Sequence, residues 1–167
     1  MDNRKSILAL FYACIHAHSL QENYENEQAP IEIEAEISHS ILVTRCHKST
    51  IVVKGKFNAV SIDNSTRLNL VVESLVSSVD VIKCNNFALQ VLGTLPTILM
   101  DQVDAATIYL SKESTNTELF TSKTTGINLI LLKGEDEEEK EVPLPEQIRT
   151  YITPEGELKS EIVEHLG

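Results

Sequence analysis

The stretch that decides the fold reads IVVKGKFNAVSI at residues 51–62, and it recurs as LVVESLVSSVDV at 70–81 and LQVLGTLPTILM at 89–100. The three segments begin at equal steps along the chain, and aliphatic residues hold equivalent places in each. Within a segment the shared positions are two residues apart, which is the period of a β-strand with one buried face. The chain therefore contains a repeat of short strands with a period of about 19 residues.

Extending this step in both directions predicts four inward columns, in which all positions but Thr117 are aliphatic. The columns are Ile51, Leu70, Leu89, Ile108, Ile127; Val53, Val72, Val91, Leu110, Leu129; Ile41, Val60, Val79, Ile98, Thr117; and Val43, Ile62, Val81, Met100, Leu119. The residues between them are mixed and should face outward: Val52, Val71, Gln90, Tyr109, Asn128, then Leu42, Ser61, Asp80, Leu99, Glu118. A further column, Phe57, Val76 and Leu95, should fill a corner.

Two strands per repeat, joined by segments too short for helices, predict an all-β, parallel β-helix with about 19 residues per coil over residues 20–133. A leucine-rich repeat has a similar period, but it needs a longer convex segment and an Asn ladder, and neither is present. Cys46 and Cys84 fall in one column two coils apart, a separation of roughly 10 Å at the usual strand spacing. That exceeds disulfide range, so both should be free thiols.

The net charge of −11 on 167 residues lies at the ends of the chain. Residues 37–133 hold nine basic and seven acidic residues, whereas residues 1–36 hold two and seven, and residues 134–167 hold three and eleven. This distribution predicts a packed middle with solvated flanks. No long basic face emerges, so the sequence excludes nucleic acid as a partner.

Residues 1–19 are treated as an N-terminal extension. Arg4 and Lys5 precede an apolar stretch, Ile7 to Ile15, which is typical of a signal peptide but also of a short helix that docks on the domain. The stretch is too short for stable membrane insertion. If the chain is secreted, Asn64 begins a glycosylation sequon.

Residues 134–167 form an acidic loop followed by a predicted hairpin around the turn Pro154-Glu155-Gly156. A lone hairpin is marginal in water, so its apolar side must cover either the end of its own β-helix or a partner chain. The candidate dimerisation residues are Ile148, Tyr151, Ile152, Leu158, Ile162 and Val163.

The sequence offers no catalytic, cofactor or metal motif: HExxH, paired CxxC, a Gly-rich phosphate loop and GxSxG are all missing. Asp63, Asp80 and Asp101 take outward positions and could imitate the acidic cluster of a secreted carbohydrate-active β-helix enzyme, although a solvated face is the commoner meaning. Basic residues recur in two turn columns, Arg45 with Lys83 and Lys48 with Arg67. They could form a docking strip for an acidic partner or serve only to keep the surface soluble.

Several segments resemble the C-terminal domain of the adenylyl cyclase-associated protein family. They are Glu22–Asn26, Ile51–Val60, Ser77–Lys83, Ile108–Ser114, Val142–Gln147 and Glu164–Gly167, in the family's order and spacing over residues 20–167. The resemblance implies a right-handed parallel β-helix whose C-terminal hairpin is exchanged in a homodimer. It also implies a stand-alone short form, since the family's helical N-terminal domain, proline-rich stretch and WH2 motif do not fit in this chain.

The resemblance further implies a non-enzymatic, cofactor-free protein of the cytoplasm and cytoskeleton. Such a protein binds monomeric actin, prefers the ADP form, and promotes exchange of ADP for ATP. The actin-binding candidates carried over are Glu73, Asp80, Lys83, Tyr109, Ser111, Lys112 and Glu113 on the coils, and Glu164, His165 and Gly167 at the tail. The alternatives are the carbohydrate-active enzyme and a GTPase activator like tubulin-folding cofactor C, for which the coils offer no matching Arg motif.

Overall fold

Strands dominate the structure because aliphatic and β-branched residues alternate with polar ones through every repeat. The computed structural model describes residues 18–26, 28–132 and 140–163. Its strands are β1 (His18–Glu22), β2 (Ile31–Glu34), β3 (Ser40–Thr44), β4 (His47–Phe57), β5 (Ala59–Asp63), β6 (Thr66–Leu75), β7 (Ser78–Val91), β8 (Thr97–Leu110), β9 (Glu118–Ser122), β10 (Thr125–Leu131), β11 (Lys140–Pro143), β12 (Ile148–Ile152) and β13 (Leu158–Ile162).

Equivalent strands of successive coils stack in parallel, which confirms the predicted β-helix. One sheet contains β2, β4, β6, the second halves of β7 and β8, and β10. We call its outer surface face A. The other contains β1, β3, β5, the first halves of β7 and β8, and β9. We call its outer surface face B, and the bend that leads from the first sheet to the second the A–B turn.

The predicted inward columns form the core through the first four coils. Ile51, Leu70, Leu89 and Ile108 are all buried, and so are their counterparts in the other three columns. Cys46 and Cys84 are buried free cysteines, as predicted. Burial raises the pKa of the Cys84 thiol, so the thiol stays protonated at neutral pH.

The predicted register is wrong in the fifth coil. Leu110 pairs with Leu131, and Ile98 pairs with Leu119. The sequence separation between the partners in each of these pairs is two residues larger than in the pair Val91 and Leu110 of the coil before. Residues two positions later therefore take the predicted places. Leu129 replaces Ile127, Leu131 replaces Leu129, Leu119 replaces Thr117, Thr121 replaces Leu119, Ile130 replaces Asn128, and Phe120 replaces Glu118.

A short insertion in the A–B turn causes this shift. The 3-10 helix Lys112–Ser114 occupies the turn, and Ser111 Oγ caps it by accepting from the Glu113 amide at 3.2 Å. Ser111 and Ser114 hydroxyls also donate to the Gly93 carbonyl, at 2.7 and 2.6 Å, which fixes the insertion to the coil before it. The side chains that hold the turn are polar, so the spacing of aliphatic residues in the sequence does not reveal the insertion.

The corner column also differs from the prediction, because the buried residues are Phe57, Leu75 and Leu95, while Val76 is 45% exposed. Val53 pairs with Val72 but Lys56 pairs with Ser74, so β4 carries one extra residue at Gly55. Gly55 has φ +91°, and the turn passes so close to the previous coil that an added Cβ would lie 2.4 Å from the Ala35 carbonyl oxygen.

Gly55→Ala is expected to lower the free energy of unfolding by about 2–4 kcal/mol, because it adds a backbone clash to an unfavourable φ. Gly126→Ala is the matched control. Gly126 also has positive φ, but its nearest contact would be the Ala105 Cα at 3.4 Å, so the cost should be about 1–2 kcal/mol. Urea unfolding of both variants measures the difference, and equal losses would contradict the clash at Gly55.

Each coil turns through two corners whose residues have positive φ, separated by two extended residues. The first column is Asn23, Arg45, Asn64, Lys83, Gln102 and Lys123, and the second is Asn26, Lys48, Arg67, Asn86, Ala105 and Gly126. Backbone hydrogen bonds link corners of successive coils, as when the Arg45 amide donates to the Asp63 carbonyl at 3.1 Å. Positive φ costs most residues about 1–2 kcal/mol, and Gly and Asn much less.

The C-terminal segment ends in the predicted hairpin. β11 pairs antiparallel with β10, and β12 pairs antiparallel with β13 as a separate two-stranded sheet. Paired residues of an antiparallel ladder lie on one side of the sheet. One side of the hairpin therefore carries four aliphatic side chains, here called the hairpin apolar face: Ile148, Ile152, Leu158 and Ile162.

Candidate protein-binding surface

Face B carries an exposed apolar patch near its last strand. Leu99 and Phe120 are paired neighbours in one outward column, and they are 42% and 54% exposed. Ile82 is exposed on the adjacent outward column. Clustered exposed apolar side chains of this kind mark protein-binding surfaces more often than isolated ones do.

A hollow of about 290 Å³ opens beside the patch. Its lining combines apolar and acidic side chains: Asp80, Ile82, Leu99, Asp101, Phe120 and Ser122. The Oδ1 atom of Asp80 is buried there without a hydrogen-bond partner. A buried acceptor without a partner is costly, so this atom marks a local polar strain beneath the hollow.

The rim of the hollow is charged. Gln102 donates to Asp101 Oδ2 at 3.1 Å, and this bond, followed by Ser122 and the charges of Lys123 and Lys83, holds the pKa of Asp101 below its ordinary value. The carboxylate is therefore ionised throughout the neutral range. Face B thus offers an apolar centre with both signs of charge around it, as protein interfaces do.

A second hollow, of about 370 Å³, lies at the A–B turn. Glu113, Ser114 and Asn116 line one side, and Thr97 and Glu118 line the other. Thr97 and Glu118 begin β8 and β9, whose later residues form the apolar patch. The turn and the lower part of face B therefore form one continuous surface, which we call the turn–face B surface.

The structure divides the predicted actin-binding residues into two groups. Glu73, Ser111, Lys112 and Glu113 come together at the A–B turn, where Glu73 Oε2 accepts from the Gly55 amide at 2.8 Å and so also supports the fold. Tyr109 precedes this group at the end of face A.

Asp80 and Lys83 form the second group, on face B and at the first corner. The tail candidates Glu164, His165 and Gly167 lie outside the described residues. The sequence did not single out Leu99 or Phe120 as binding residues. The repeat predicts that Leu99 faces outward, and an aliphatic side chain at an outward position is the available signal for a binding residue. Phe120 joined it only through the two-residue insertion.

The predicted dimerisation residues do not all share one side of the hairpin. Ile148, Ile152, Leu158 and Ile162 are each more than half exposed on the hairpin apolar face. Tyr151 lies on the opposite side, where the Arg149 guanidinium stacks 4.9 Å from its ring centroid.

Arg149 Nη1 also pairs with Glu161 Oε1 at 3.0 Å on that opposite side. Val163 follows β13, and its amide donates to the Gln147 carbonyl at 2.9 Å. The hairpin is therefore amphipathic, with one polar side and one exposed side on which the four aliphatic residues flank the Thr150–Ser160 pair.

The acidic residues considered for catalysis are spread over two columns. Asp63 and Asp101 share one column with Ile82 between them, and Asp80 belongs to the next. Within the described ranges, no group of three or more His, Cys, Asp or Glu side chains could hold a metal ion. Across these same residues, no helix has the length and apolar character to cross a membrane.

Comparison with known proteins gives consistent matches. The family model described as adenylate cyclase associated (CAP) C terminal matches residues 17–165. The adenylyl cyclase-associated protein of Schizosaccharomyces pombe is 41% identical over 144 residues, which is 86% of this chain and 26% of that protein. Adenylyl cyclase-associated protein 2 of Homo sapiens is 34% identical over 128 residues, 76% of this chain and 26% of that protein.

The chain therefore spans about a quarter of the length of these relatives. Among solved structures, the crystal structure of cyclase-associated protein from Cryptosporidium parvum superimposes with a TM-score of 0.82 at 29% identity. The superposition covers 95% of this chain and all of that one, so the two share the complete fold.

Proposed function

The chain belongs to the family of adenylate cyclase-associated protein C-terminal domains, and on that premise we propose that it binds monomeric actin and promotes exchange of ADP for ATP. The observation that carries the proposal is the extent of the family match, which runs through all the coils and the hairpin. In this proposal the chain is a binding protein of the cytoplasm, associated with the cytoskeleton, with no cofactor and no catalytic step of its own.

Actin would dock on the turn–face B surface. The apolar patch of Leu99 and Phe120 supplies area that loses water on binding, and Asp80 contributes negative charge to the lining of the adjacent hollow. Lys83 on one side and Lys112 and Glu113 on the other would contribute charge at the rim, where it directs encounter more than it adds affinity. Glu73, Tyr109 and Ser111 complete the proposed contact on the turn.

Nucleotide exchange constrains the order of affinities. A partner speeds ADP release only when it binds actin in the open, nucleotide-releasing state more tightly than it binds ADP-actin. A further preference for ADP-actin over ATP-actin lets the complex dissociate after ATP has entered. The proposed role therefore requires three affinities in descending order: open actin, ADP-actin, ATP-actin.

The proposed protein is a homodimer. Coils 20–133 bind actin, and residues 134–167 exchange their hairpins so that the apolar face of Ile148, Ile152, Leu158 and Ile162 is covered by the partner chain. Each of these side chains stabilises the assembly by about 1.5–3 kcal/mol when fully buried. The tail residues Glu164, His165 and Gly167 would extend from the hairpin to a bound actin.

Release of a fluorescent ADP analogue from monomeric actin into excess ATP tests the exchange activity. We expect the release rate to rise with protein concentration and to saturate. A parallel chase with excess unlabelled ADP should give the same rate, because opening of actin, not the identity of the incoming nucleotide, limits release. An unchanged release rate at saturating protein would reject the exchange activity, and binding would then be judged separately.

A further inference from the structure

Basic residues occupy corner positions where the backbone disfavours them. Arg45, Lys48 and Arg67 have φ of 52°, 46° and 51°. The same two columns contain Asn64 and Gly126, which adopt positive φ at much lower cost. The fold therefore accepts better-suited residues at equivalent corners. Because Lys83, Gln102, Ala105 and Lys123 also have positive φ, the strain is common to the corners, and the clustering of basic side chains is what sets this edge apart.

These side chains also gather on one surface. We define the basic edge as Arg45, His47, Lys48 and Arg67, which lie on two adjacent coils between and at the two corners. Lys48 and Arg67 are consecutive members of one column, about 4.8 Å apart at the backbone. Arg45, Lys48 and Arg67 are exposed, and His47 is hydrogen-bonded to Thr66 of the next coil. Like charges this close repel, which adds to the backbone strain.

The surroundings limit the kind of anion that fits. Carboxylates stand around the basic edge, with Glu25 on the preceding coil, Asp63 beside it and Asp104 on a later coil. Double-stranded DNA, with one phosphate charge per about 1.7 Å of helix axis, would meet these carboxylates as well as the cations. The basic edge therefore suits a short acidic peptide better than a DNA duplex.

The backbone of the basic edge does not form a pocket for a compact anion. The amides of Arg45 and His47 donate to the Asp63 and Tyr24 carbonyls, and the Cys46 amide between them donates to Ser65 Oγ. These donors are used by the coil stacking, so they do not converge on a phosphate as the amides of an anion-binding loop do. Binding must come from side chains spread along the surface, which matches carboxylates spread along a peptide.

We propose that the basic edge docks an acidic peptide segment of a partner protein. The partner's Asp and Glu side chains would pair with Lys48 and Arg67, and the charge complementarity would make binding fall with ionic strength. Lys48 and Arg67 belong to the second corner column, whereas Lys83, the proposed actin contact on this side, belongs to the first, and the peptide test uses no actin, so this inference is tested independently of actin binding.

Fluorescence anisotropy of a labelled deca-glutamate peptide tests the proposal on the full chain. The test variant is Lys48→Asn with Arg67→Asn, and the matched control is Lys56→Asn with Lys140→Asn, which removes the same charge from exposed sites elsewhere. We expect the test variant to bind at least about tenfold more weakly than wild type, and the control to bind within about twofold.

Unlabelled competitors distinguish the ligand classes. Inorganic phosphate, a single-stranded DNA oligonucleotide and vesicles containing phosphatidylserine should each displace the labelled peptide less well than unlabelled deca-glutamate does. Equal loss of affinity in test and control variants would overturn the proposal, as would stronger displacement by phosphate, DNA or vesicles.

Urea unfolding supplies an independent readout of the strain. Asn tolerates positive φ, so the Lys48→Asn, Arg67→Asn variant should unfold at a higher urea concentration than wild type while losing the peptide. A lower urea midpoint for this variant than for wild type would contradict the claim that Lys48 and Arg67 destabilise the folded chain.

Discussion

Ile152→Asp is expected to convert the protein from a dimer to a monomer, because it places a carboxylate on the hairpin apolar face, at the end next to the turn. Ile152 is 71% exposed and pairs with Leu158, which is 72% exposed, so the substitution removes nothing from the fold of a single chain. In a symmetric dimer the charge is buried twice, and a buried charge without a partner costs about 3–5 kcal/mol. Sedimentation velocity measures the resulting mass.

Lys159→Asp is the matched control for this prediction. Lys159 pairs with Tyr151 on the polar side of the hairpin, so a carboxylate there remains in water and the dimer should persist. Deleting residues 147–167 should give the same monomer as Ile152→Asp. A deletion variant that sediments as a dimer would rule out exchange of the hairpin, and a dimeric Ile152→Asp variant would place the interface elsewhere.

Leu99→Asp combined with Phe120→Asp is expected to weaken actin binding at least about 100-fold, which corresponds to about 2.7 kcal/mol. Both side chains face solvent in the free protein, and both would lie at the centre of the proposed contact, where truncation of a large apolar residue commonly costs about 2 kcal/mol or more. Titration of fluorescent monomeric actin with each variant measures the loss.

Ile37→Asp serves as the control on actin binding. Ile37 is 62% exposed in the A–B turn that joins β2 to β3, several coils before Lys112–Ser114 and away from the apolar patch. The Ile37→Asp variant should bind actin with the affinity of wild type. The thermal unfolding midpoints of this variant and of the Leu99→Asp, Phe120→Asp variant should both match wild type, which would confirm that the fold is intact. Unchanged affinity in the Leu99→Asp, Phe120→Asp variant would remove face B from the proposed contact.

Much of the fold could be predicted because its core is built from repeated aliphatic columns. The regular period holds wherever coils stack without insertions, as at Leu70, Leu89 and Ile108. It fails where polar groups set the geometry. Serine hydroxyls fix the insertion at Lys112–Ser114, and Gly55 allows the extra residue in β4. Neither feature is visible in the pattern of aliphatic residues from which the repeat was predicted.

The candidate site was predicted less completely for the same reason. Asp80, Lys83 and the residues of the A–B turn came from the family resemblance, and the structure places them on one surface or its border. The apolar patch depended on the insertion, since an unbroken repeat pairs Leu99 with Glu118, whereas the structure pairs it with Phe120. The positive φ of Lys48 and Arg67 gave no sequence signal, because such residues disfavour that conformation.

The affinity of the wild-type chain for ADP-actin and for ATP-actin tests the central claim most directly. Fluorescently labelled monomeric actin, loaded with either nucleotide and kept under non-polymerising conditions, is titrated with the protein. We predict saturable binding of one actin per chain, tighter for ADP-actin than for ATP-actin. The absence of binding to both forms would contradict the proposed function.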